Sequence, residues 1–216
     1  MLVRFLTPPA SATLDRHMTA PRFLLALLTA LLLASAAGGT PITPNSNLSG
    51  TVHNGENHAG ANGSNSNLSF ASFVGTNLQS TTFVNTSFVS ANFTNASFRF
   101  SNATGANFTG ATFSNTQLRD SNFTNAIFDG VVPINTNVRG ATFNGASFLG
   151  ANLTGITNWA LASWTGAKYN ASSVLPAGMN PSAAGMVLVT EPRSAGLMAL
   201  GLAGLGVFGR RRPARG

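Results

Sequence analysis

A five-residue period organises this chain over residues 66–155. In eighteen consecutive units a small residue, replaced only once, by Val131, is followed by a polar residue, a bulky residue, a second polar residue and a turn former. Fifteen of the eighteen bulky positions are Phe or Leu, and eleven of the thirteen Phe in this stretch share that phase. The bulky positions are Leu68, Phe73, Leu78, Phe83, Phe88, Phe93, Phe98, Ala103, Phe108, Phe113, Leu118, Phe123, Phe128, Pro133, Val138, Phe143, Phe148 and Leu153.

This period matches neither the 3.6-residue repeat of an amphipathic helix nor the two-residue alternation of a pleated strand. The chain must therefore coil. A short, fixed period is typical of a stacked solenoid, in which each unit buries its apolar residue only against the units above and below it.

Three units show the motif of the repeat most clearly: residues 91–95 are Ala-Asn-Phe-Thr-Asn, residues 106–110 are Ala-Asn-Phe-Thr-Gly and residues 151–155 are Ala-Asn-Leu-Thr-Gly. These residues resemble the pentapeptide-repeat family, whose motif is A(D/N)Lxx. The resemblance implies an all-β fold, a right-handed quadrilateral β-helix with four pentapeptides in each coil. Residues that are twenty positions apart, such as Phe88 and Phe108, then stack on one another.

This geometry predicts four interior columns, in which each buried Phe contributes about 1.5–3 kcal/mol to folding. The columns are Phe88, Phe108, Phe128 and Phe148; Phe73, Phe93, Phe113, Pro133 and Leu153; Leu78, Phe98, Leu118 and Val138; and Phe83, Ala103, Phe123 and Phe143.

The N-terminal residues 1–36 are predicted to be a leader with a secretory signal peptide. Arg22 precedes an apolar run over residues 23–33, and Ala34 and Ala36 then form an A-x-A site for signal peptidase. The run is too short to span a membrane.

The C-terminal residues 191–216, with the residues just before them, resemble the PEP-CTERM sorting signal of Gram-negative bacteria. A Val-Thr-Glu-Pro sequence, with Thr where the family has its first Pro, precedes an apolar run over residues 194–209 and an Arg cluster. The resemblance implies a transmembrane helix with its Arg cluster in the cytoplasm and cleavage by an exosortase. The protein would be anchored transiently in the inner membrane and then reach the cell surface or the medium. The motif residues are Val189, Thr190, Glu191, Pro192, Arg210, Arg211 and Arg212.

Three further segments connect these parts. Residues 37–65 are rich in Asn and Gly and are predicted to be a flexible linker, although they also contain traces of decayed repeats. Residues 156–180 are predicted to cap the solenoid, because the spacing slips by one residue and brings in Trp159, Trp164 and Tyr169. An aromatic ligand-binding platform is the alternative for this segment. Residues 181–190 are predicted to be a linker.

Charge gives no reason to expect a nucleic-acid partner. The formal net charge is +7, but most of it lies in residues 1–36 and 191–216. Residues 37–190 have a net charge of only +1, from Arg99, Arg119, Arg139 and Lys168 against Glu56, Asp120 and Asp129. The absence of Cys excludes disulfides and thiolate metal sites.

Three sets of polar residues are candidates for a binding site. His53, Glu56 and His58 have the side chains of a metal site, but two ordinary His in a solvated linker is the favoured interpretation, and no metal is predicted. Arg99, Arg119 and Arg139 share a column, which would be either an anion-binding strip or, as we favour, three solvated side chains balanced partly by Asp120 and Asp129. Asn95, Asn115 and Asn135 are predicted to form a side-chain ladder.

Catalysis finds no support in the repeat region. A hydrolase needs a poised base or a carboxylate pair, and residues 66–155 offer only Asp120 and Asp129 and no His. We therefore predict no catalytic residue, no cofactor and no enzyme. The predicted function is that of an exported structural or adhesion protein, with signal peptidase and an exosortase as processing partners and extracellular polysaccharide as a further candidate partner. The alternative is a solenoid that binds glycan or ice through its Asn/Thr-rich face.

Overall fold

The computed structural model describes residues 40–190. Of these, residues 42–190 belong to the second of two units, while residues 40 and 41 belong to the first. The solenoid belongs to the second unit and is described here from Ile42 onward.

The second unit is a parallel β-solenoid in which each pentapeptide places one residue in a bridge to the coil above and the coil below. The bridges join residues twenty positions apart, from Asn47 with Asn67 to Ile127 with Ser147, and all of them are parallel. One coil therefore contains four pentapeptides. The quadrilateral β-helix expected from the sequence is confirmed for this part of the chain.

Each pentapeptide ends in a tight turn. The residue at the turn position has a positive φ, as in Asn95 (60°), Gly110 (64°) and Gly150 (65°). Because Gly and Asn enter the left-handed region most easily, they dominate this position of the repeat. The turn is closed by a hydrogen bond from the next small residue to the carbonyl of the bulky residue, for example from Ala91 N to Phe88 O at 3.0 Å.

Longer elements occur only toward the C-terminal end of residues 40–190. Strand β1, Thr136–Asn137, pairs in parallel with β2, Ile156–Thr157, and β3, Lys168–Tyr169, pairs in parallel with β4, Val187–Leu188. Two short 3₁₀ helices lie among them, Leu153–Gly155 and Trp159–Leu161.

The interior consists of stacked aromatic rings. The ring of Phe108 lies parallel to the rings of Phe88 and Phe128, with centroids 5.1 and 4.9 Å away, and Phe148 follows Phe128 at 5.3 Å. Rings of neighbouring columns meet edge to face, a favourable arrangement for aromatic pairs. The structure places all six Phe that the sequence proposes as structural core in this interior, where each is buried: Phe88, Phe93, Phe108, Phe113, Phe128 and Phe148.

The prediction of a flexible linker over residues 37–65 is wrong for residues 42–65, which form the first ordered coil of the solenoid. Asn47 and Asn57 bridge to Asn67 and Asn77. The main chain of this coil uses the free edge of the coil that follows it, as in the bond from Leu48 N to Asn67 O at 2.8 Å. Such pairing requires backbone groups rather than bulky side chains, so a segment of Asn and Gly can complete it.

The last coil contains the predicted slip. Thr142 bridges to Ser163, twenty-one positions away, and Trp164 consequently stacks on Phe143 with ring centroids 4.7 Å apart. The following residues then fold back against this coil. Met179 and Met186 are buried, and β4 adds a strand beside β3, so residues 181–190 are not the simple linker that the sequence predicts.

Packing is incomplete around Pro133. Proline has no N–H to donate to the ladder, and the bridge on this face moves to Ser114 and Ile134. A small apolar cavity of about 20 Å³ lies beside Pro133, lined by Leu118, Val138, Ile156 and neighbouring aromatic rings. It is the consequence of shorter side chains in columns otherwise filled by Phe and Leu.

Candidate functional site

The polar exterior of the solenoid is hydrogen-bonded to itself within several pentapeptides. Asn107 Oδ1 accepts hydrogen bonds from Thr109 N at 2.9 Å and Thr109 Oγ1 at 2.6 Å. The Asn-x-Thr sequence thus closes a side-chain clamp over the bulky residue. Four further pairs form the same clamp: Asn92 with Thr94, Asn102 with Thr104, Asn122 with Thr124, and Asn152 with Thr154.

Asn side chains also connect successive coils. Asn77 Nδ2 donates to Asn57 Oδ1 at 2.8 Å. In the column of the predicted ladder, Asn135 Nδ2 donates to Asn115 Oδ1 at 2.9 Å. These bonds run along the solenoid axis, parallel to the main-chain ladder.

The Arg column is not balanced by ion pairs with Asp120 and Asp129. Within residues 40–190 the ion pairs are those of Glu56 with two His. Asp129 instead accepts hydrogen bonds from Ser147 Oγ at 2.6 Å and Leu149 N at 2.9 Å, and so joins two coils. Arg99 lies over the ring of Phe100, with its Cζ 5.2 Å from the ring centroid, while the Nε atoms of Arg99 and Arg119 are buried without a hydrogen-bond partner.

Two aromatic side chains lie on the outside of the solenoid and were not assigned a role from the sequence. Phe70 and Phe100 are 65% and 55% exposed. Both occupy the turn position, with φ of 61° and 60°, a conformation that is unfavourable for a bulky residue. Their position outside the phase of the other Phe is the signal that sets them apart.

The densest cluster of titratable side chains in the described part of the chain is formed by His53, Glu56 and His58. Glu56 Oε2 lies 3.0 Å from His53 Nδ1 and 2.6 Å from His58 Nε2, and the two ring nitrogens are 3.2 Å apart. Three atoms able to bind a metal therefore converge on one point. The interpretation of two ordinary His in a solvated linker is wrong, because His53 is 0% exposed.

The side chain of His53 is fixed by an aromatic contact and by a hydrogen bond with Thr51. Its ring stacks on Phe73 with centroids 5.0 Å apart, which places it at the top of a Phe column. Its Nε2 lies 2.8 Å from Thr51 Oγ1, and that hydroxyl donates to Leu48 O at 2.7 Å. Burial lowers the pKa of His53 below its ordinary value of 6.5, an effect that the hydrogen bond with Glu56 opposes.

A groove lies at the opposite end of the solenoid. It has a volume of about 510 Å³ and is lined by Trp159, Trp164, Thr165, Asn180 and Ala183 among others. Trp164 is buried on Phe143, and its Nε1 donates to Trp159 O at 2.9 Å, so it closes the end of a Phe column. Trp159 is half-buried at the edge of the groove.

The residues proposed for processing lie mostly outside the described part of the chain. Val189 N donates to Tyr169 O at 2.7 Å, and Thr190 is exposed. Between residues 40 and 190, no helix has the length and apolar character needed to cross a membrane. The following predicted residues lie outside residues 40–190: Ala34, Ala36, Glu191, Pro192, Arg210, Arg211 and Arg212.

Several solved structures are similar to this chain. A pentapeptide repeat protein from the cyanobacterium Cyanothece 51142 is 19% identical, with 68% of this chain and 99% of that chain covered and a TM-score of 0.42. HetL, a pentapeptide repeat protein involved in heterocyst differentiation regulation in Nostoc sp. strain PCC 7120, is 16% identical, with 79% and 93% covered and a TM-score of 0.30. QnrB1, a plasmid-mediated fluoroquinolone resistance protein, is 21% identical, with 74% and 95% covered and a TM-score of 0.31.

Among curated proteins there is no significant match. The family model described as pentapeptide repeats (8 copies) matches residues 45–83, 71–110, 91–130 and 134–157. These matches cover half of the chain and include the first coil, which the sequence alone had suggested to be a linker. The chain belongs to the pentapeptide-repeat family.

Proposed function

We propose that this protein is a non-enzymatic structural or adhesion protein that is exported to the cell surface or the extracellular matrix. The observation that carries the proposal is the combination of a filled interior with an exterior of clamped Asn and Thr side chains. A solenoid of this kind offers a long, weakly charged surface whose polar groups are already ordered. Such a surface suits repeated, shallow contacts better than the enclosure of a small substrate.

Support for export comes from the two ends of the sequence. A signal peptide cleaved after Ala36 would deliver the chain across the inner membrane, and the apolar run over residues 194–209 would hold it there. The cluster Arg210 to Arg212 would remain in the cytoplasm. An exosortase would then cut near Pro192, which lies C-terminal to β4, and leave the folded solenoid intact.

Mass spectrometry of the mature protein tests the proposed localisation and processing. Peptides from the solenoid are expected in the surface or medium fraction, with none from the region C-terminal to Pro192. Deletion of the exosortase should leave a longer species in the membrane. Replacing Arg210, Arg211 and Arg212 by Ser tests the orientation and should weaken retention of the tail in the cytoplasm. Recovery of Gly216 on the exported protein, or of the whole chain in the cytoplasm, would refute the proposed processing.

Binding of glycan or ice is the second candidate, and the clamps are the observation that favours it. Because Thr109 and Thr124 donate their hydroxyl protons to Asn, their oxygens are held at fixed positions on the surface. Extracellular polysaccharide is a partner of matching chemistry. A glycan array and an ice-recrystallisation assay distinguish this candidate from a purely structural role, since only a binding surface would give a signal that is lost in a Thr109→Val, Thr124→Val double variant.

A further inference from the structure

The first coil keeps one bulky residue, Leu48, and has His53, His58 and Gly63 at the other three bulky positions. His53 covers the column that begins with Phe73, and His58 precedes Leu78 in the next column. A Cβ at Gly63 would lie 2.6 Å from Ile42 Cγ2, which shows that Ile42 occupies the space left by the missing side chain. Three columns are therefore closed by apolar or stacking contacts, while the polar group around Glu56 covers the space between two of them.

The hydrogen bonds around Thr51 determine which nitrogen of His53 carries its proton. Thr51 has one hydroxyl proton, and it is donated to Leu48 O. Thr51 Oγ1 must then accept from His53 Nε2, at 2.8 Å. In neutral His53 the Nδ1 atom therefore carries a lone pair, and this lone pair faces Glu56 Oε2 at 3.0 Å.

Two electron-pair donors that face each other at this distance need a proton or a metal ion between them. His58 Nε2 can supply one proton, and its shorter contact is with Glu56 Oε2, at 2.6 Å. In the neutral form of His53, Nδ1 then remains buried against a carboxylate oxygen with no proton between the two atoms. Because His53 is itself fully buried, an unpartnered acceptor at its Nδ1 is costly.

The three atoms have the spacing of metal ligands. Ligands about 2.0–2.1 Å from a tetrahedral Zn²⁺ are separated from one another by about 3.3 Å. The separations observed here are 3.2, 3.0 and 2.6 Å, so small outward movements bring all three atoms into coordination distance of one ion. The bond from His53 Nε2 to Thr51 is the outer contact that metal-binding His residues normally make with their second nitrogen.

We propose that His53 Nδ1, His58 Nε2 and Glu56 Oε2 bind one divalent transition-metal ion, with Zn²⁺ as the expected occupant. Two imidazole nitrogens and one carboxylate oxygen form a ligand set suited to Zn²⁺, with water in the fourth position. The side chains of Glu56 and His58 are 20% and 10% exposed, which leaves that position an opening to solvent.

The ion would close the N-terminal end of the solenoid. It joins the coil positions of His53 and His58 on two adjacent faces and replaces, as a polar cap, the pair of apolar residues that later coils place there, such as Phe73 and Leu78. Terminal units of a solenoid need such a cap because they have a neighbour on one side only. Binding therefore stabilises the folded first coil by mass action.

Calorimetric titration of the metal-free protein with Zn²⁺ tests the proposal. One Zn²⁺ per chain is expected to bind and to raise the melting temperature. Glu56→Gln and His58→Gln remove ligands and are expected to weaken binding strongly. His53→Phe also removes a ligand, but it retains an aromatic ring on Phe73, so circular dichroism can separate loss of the metal from loss of the fold. Co²⁺ should give the visible absorption of a tetrahedral site in the wild-type protein and not in the three ligand variants.

Thr51→Val provides the sharper test, because it leaves all three ligands in place. Loss of an outer partner typically weakens metal binding by about 10–100-fold, and this is the expected effect. Asp120→Asn is the matched control, a carboxylate outside the cluster, and should leave binding unchanged. A wild-type protein that binds no Zn²⁺, or variants of the three ligands that bind it as tightly as the wild type, would overturn the proposal.

Discussion

Replacing Phe108 by Ala is expected to destabilise the protein by about 4–5 kcal/mol, the upper part of the range for such substitutions. Phe108 is fully buried and contacts six other rings. Two of these, Phe88 and Phe128, stack on it, and four more meet it at an angle: Phe93, Phe98, Phe113 and Phe123.

The size of the effect follows from the inability of the site to collapse. The coils above and below are held at strand spacing by main-chain bonds, from Phe88 N to Asn107 O and from Phe108 N to Ile127 O, both at 2.7 Å. The neighbouring rings cannot move along the axis into the space that Ala would leave. A cavity therefore remains, and its cost adds to the lost transfer free energy.

Asn107→Ala is the matched control, at the preceding residue, which bridges to Ser87 and Ile127. It removes the acceptor for Thr109 N and Thr109 Oγ1, but this side chain is partly exposed, so water replaces the lost bonds and the cost is about 1 kcal/mol. Urea denaturation followed by circular dichroism measures both variants. Equal destabilisation by the two substitutions would refute the inward direction of the Phe columns and the rigid spacing on which the estimate rests.

Three other substitutions test separate features. Val138→Leu extends a side chain toward the cavity of about 20 Å³ and is expected to raise stability by about 0.5–1 kcal/mol, measured as a higher urea midpoint. Gly155→Ala places a Cβ against the carbonyl oxygen of Pro133 and should destabilise more than Gly150→Ala, whose Cβ meets no atom within 4 Å, so a reversed order of melting temperatures would contradict the packing of the last coils. In the absence of metal, stability should fall as the pH drops below about 6.5, because the lowered pKa of His53 means that the unfolded chain binds the proton more tightly. Thermal denaturation at pH 7.5 and pH 5 should show a smaller pH effect in His53→Phe, and an unchanged effect would exclude His53 as its source.

The period of five was sufficient to predict the columns. Phe88 and Phe108 are stacked because their positions differ by one full coil, and the spacing of bulky residues contains that information directly. The slip before Trp164 was visible for the same reason. Its stacking on Phe143 follows from a spacing of twenty-one residues.

The first coil could not be predicted in the same way. His53, His58 and Gly63 retain the phase but lack the bulk that marks the other repeats, and local composition therefore suggested a linker. What decides their structure is the coil beside them, which offers a free row of backbone donors and acceptors. Sequence periodicity reports the pattern of side chains. It contains no information about the unpaired backbone groups at the edge of a neighbouring coil.

The geometry of the site around Glu56 could not be predicted from composition either. The three ligand candidates were visible in the sequence, but their burial and the role of Thr51 depend on the turn that folds Leu48 and Thr51 toward His53. Phe70 and Phe100 were visible as departures from the phase. Their outward direction and positive φ emerge only from the structure.

The twenty-residue spacing of the bridges also determines how such a chain can change in length. Removal of one whole coil, for example residues 86–105, would bring together two cut ends in the same phase, and every later residue would keep its face. Removal of a single pentapeptide between Arg99 and Arg119 would instead turn everything after it by a quarter of a coil, so that Arg119 and Arg139 would no longer lie in the column of Arg99. Insertions and deletions of twenty residues should therefore be tolerated far better than those of five, although both preserve the repeat.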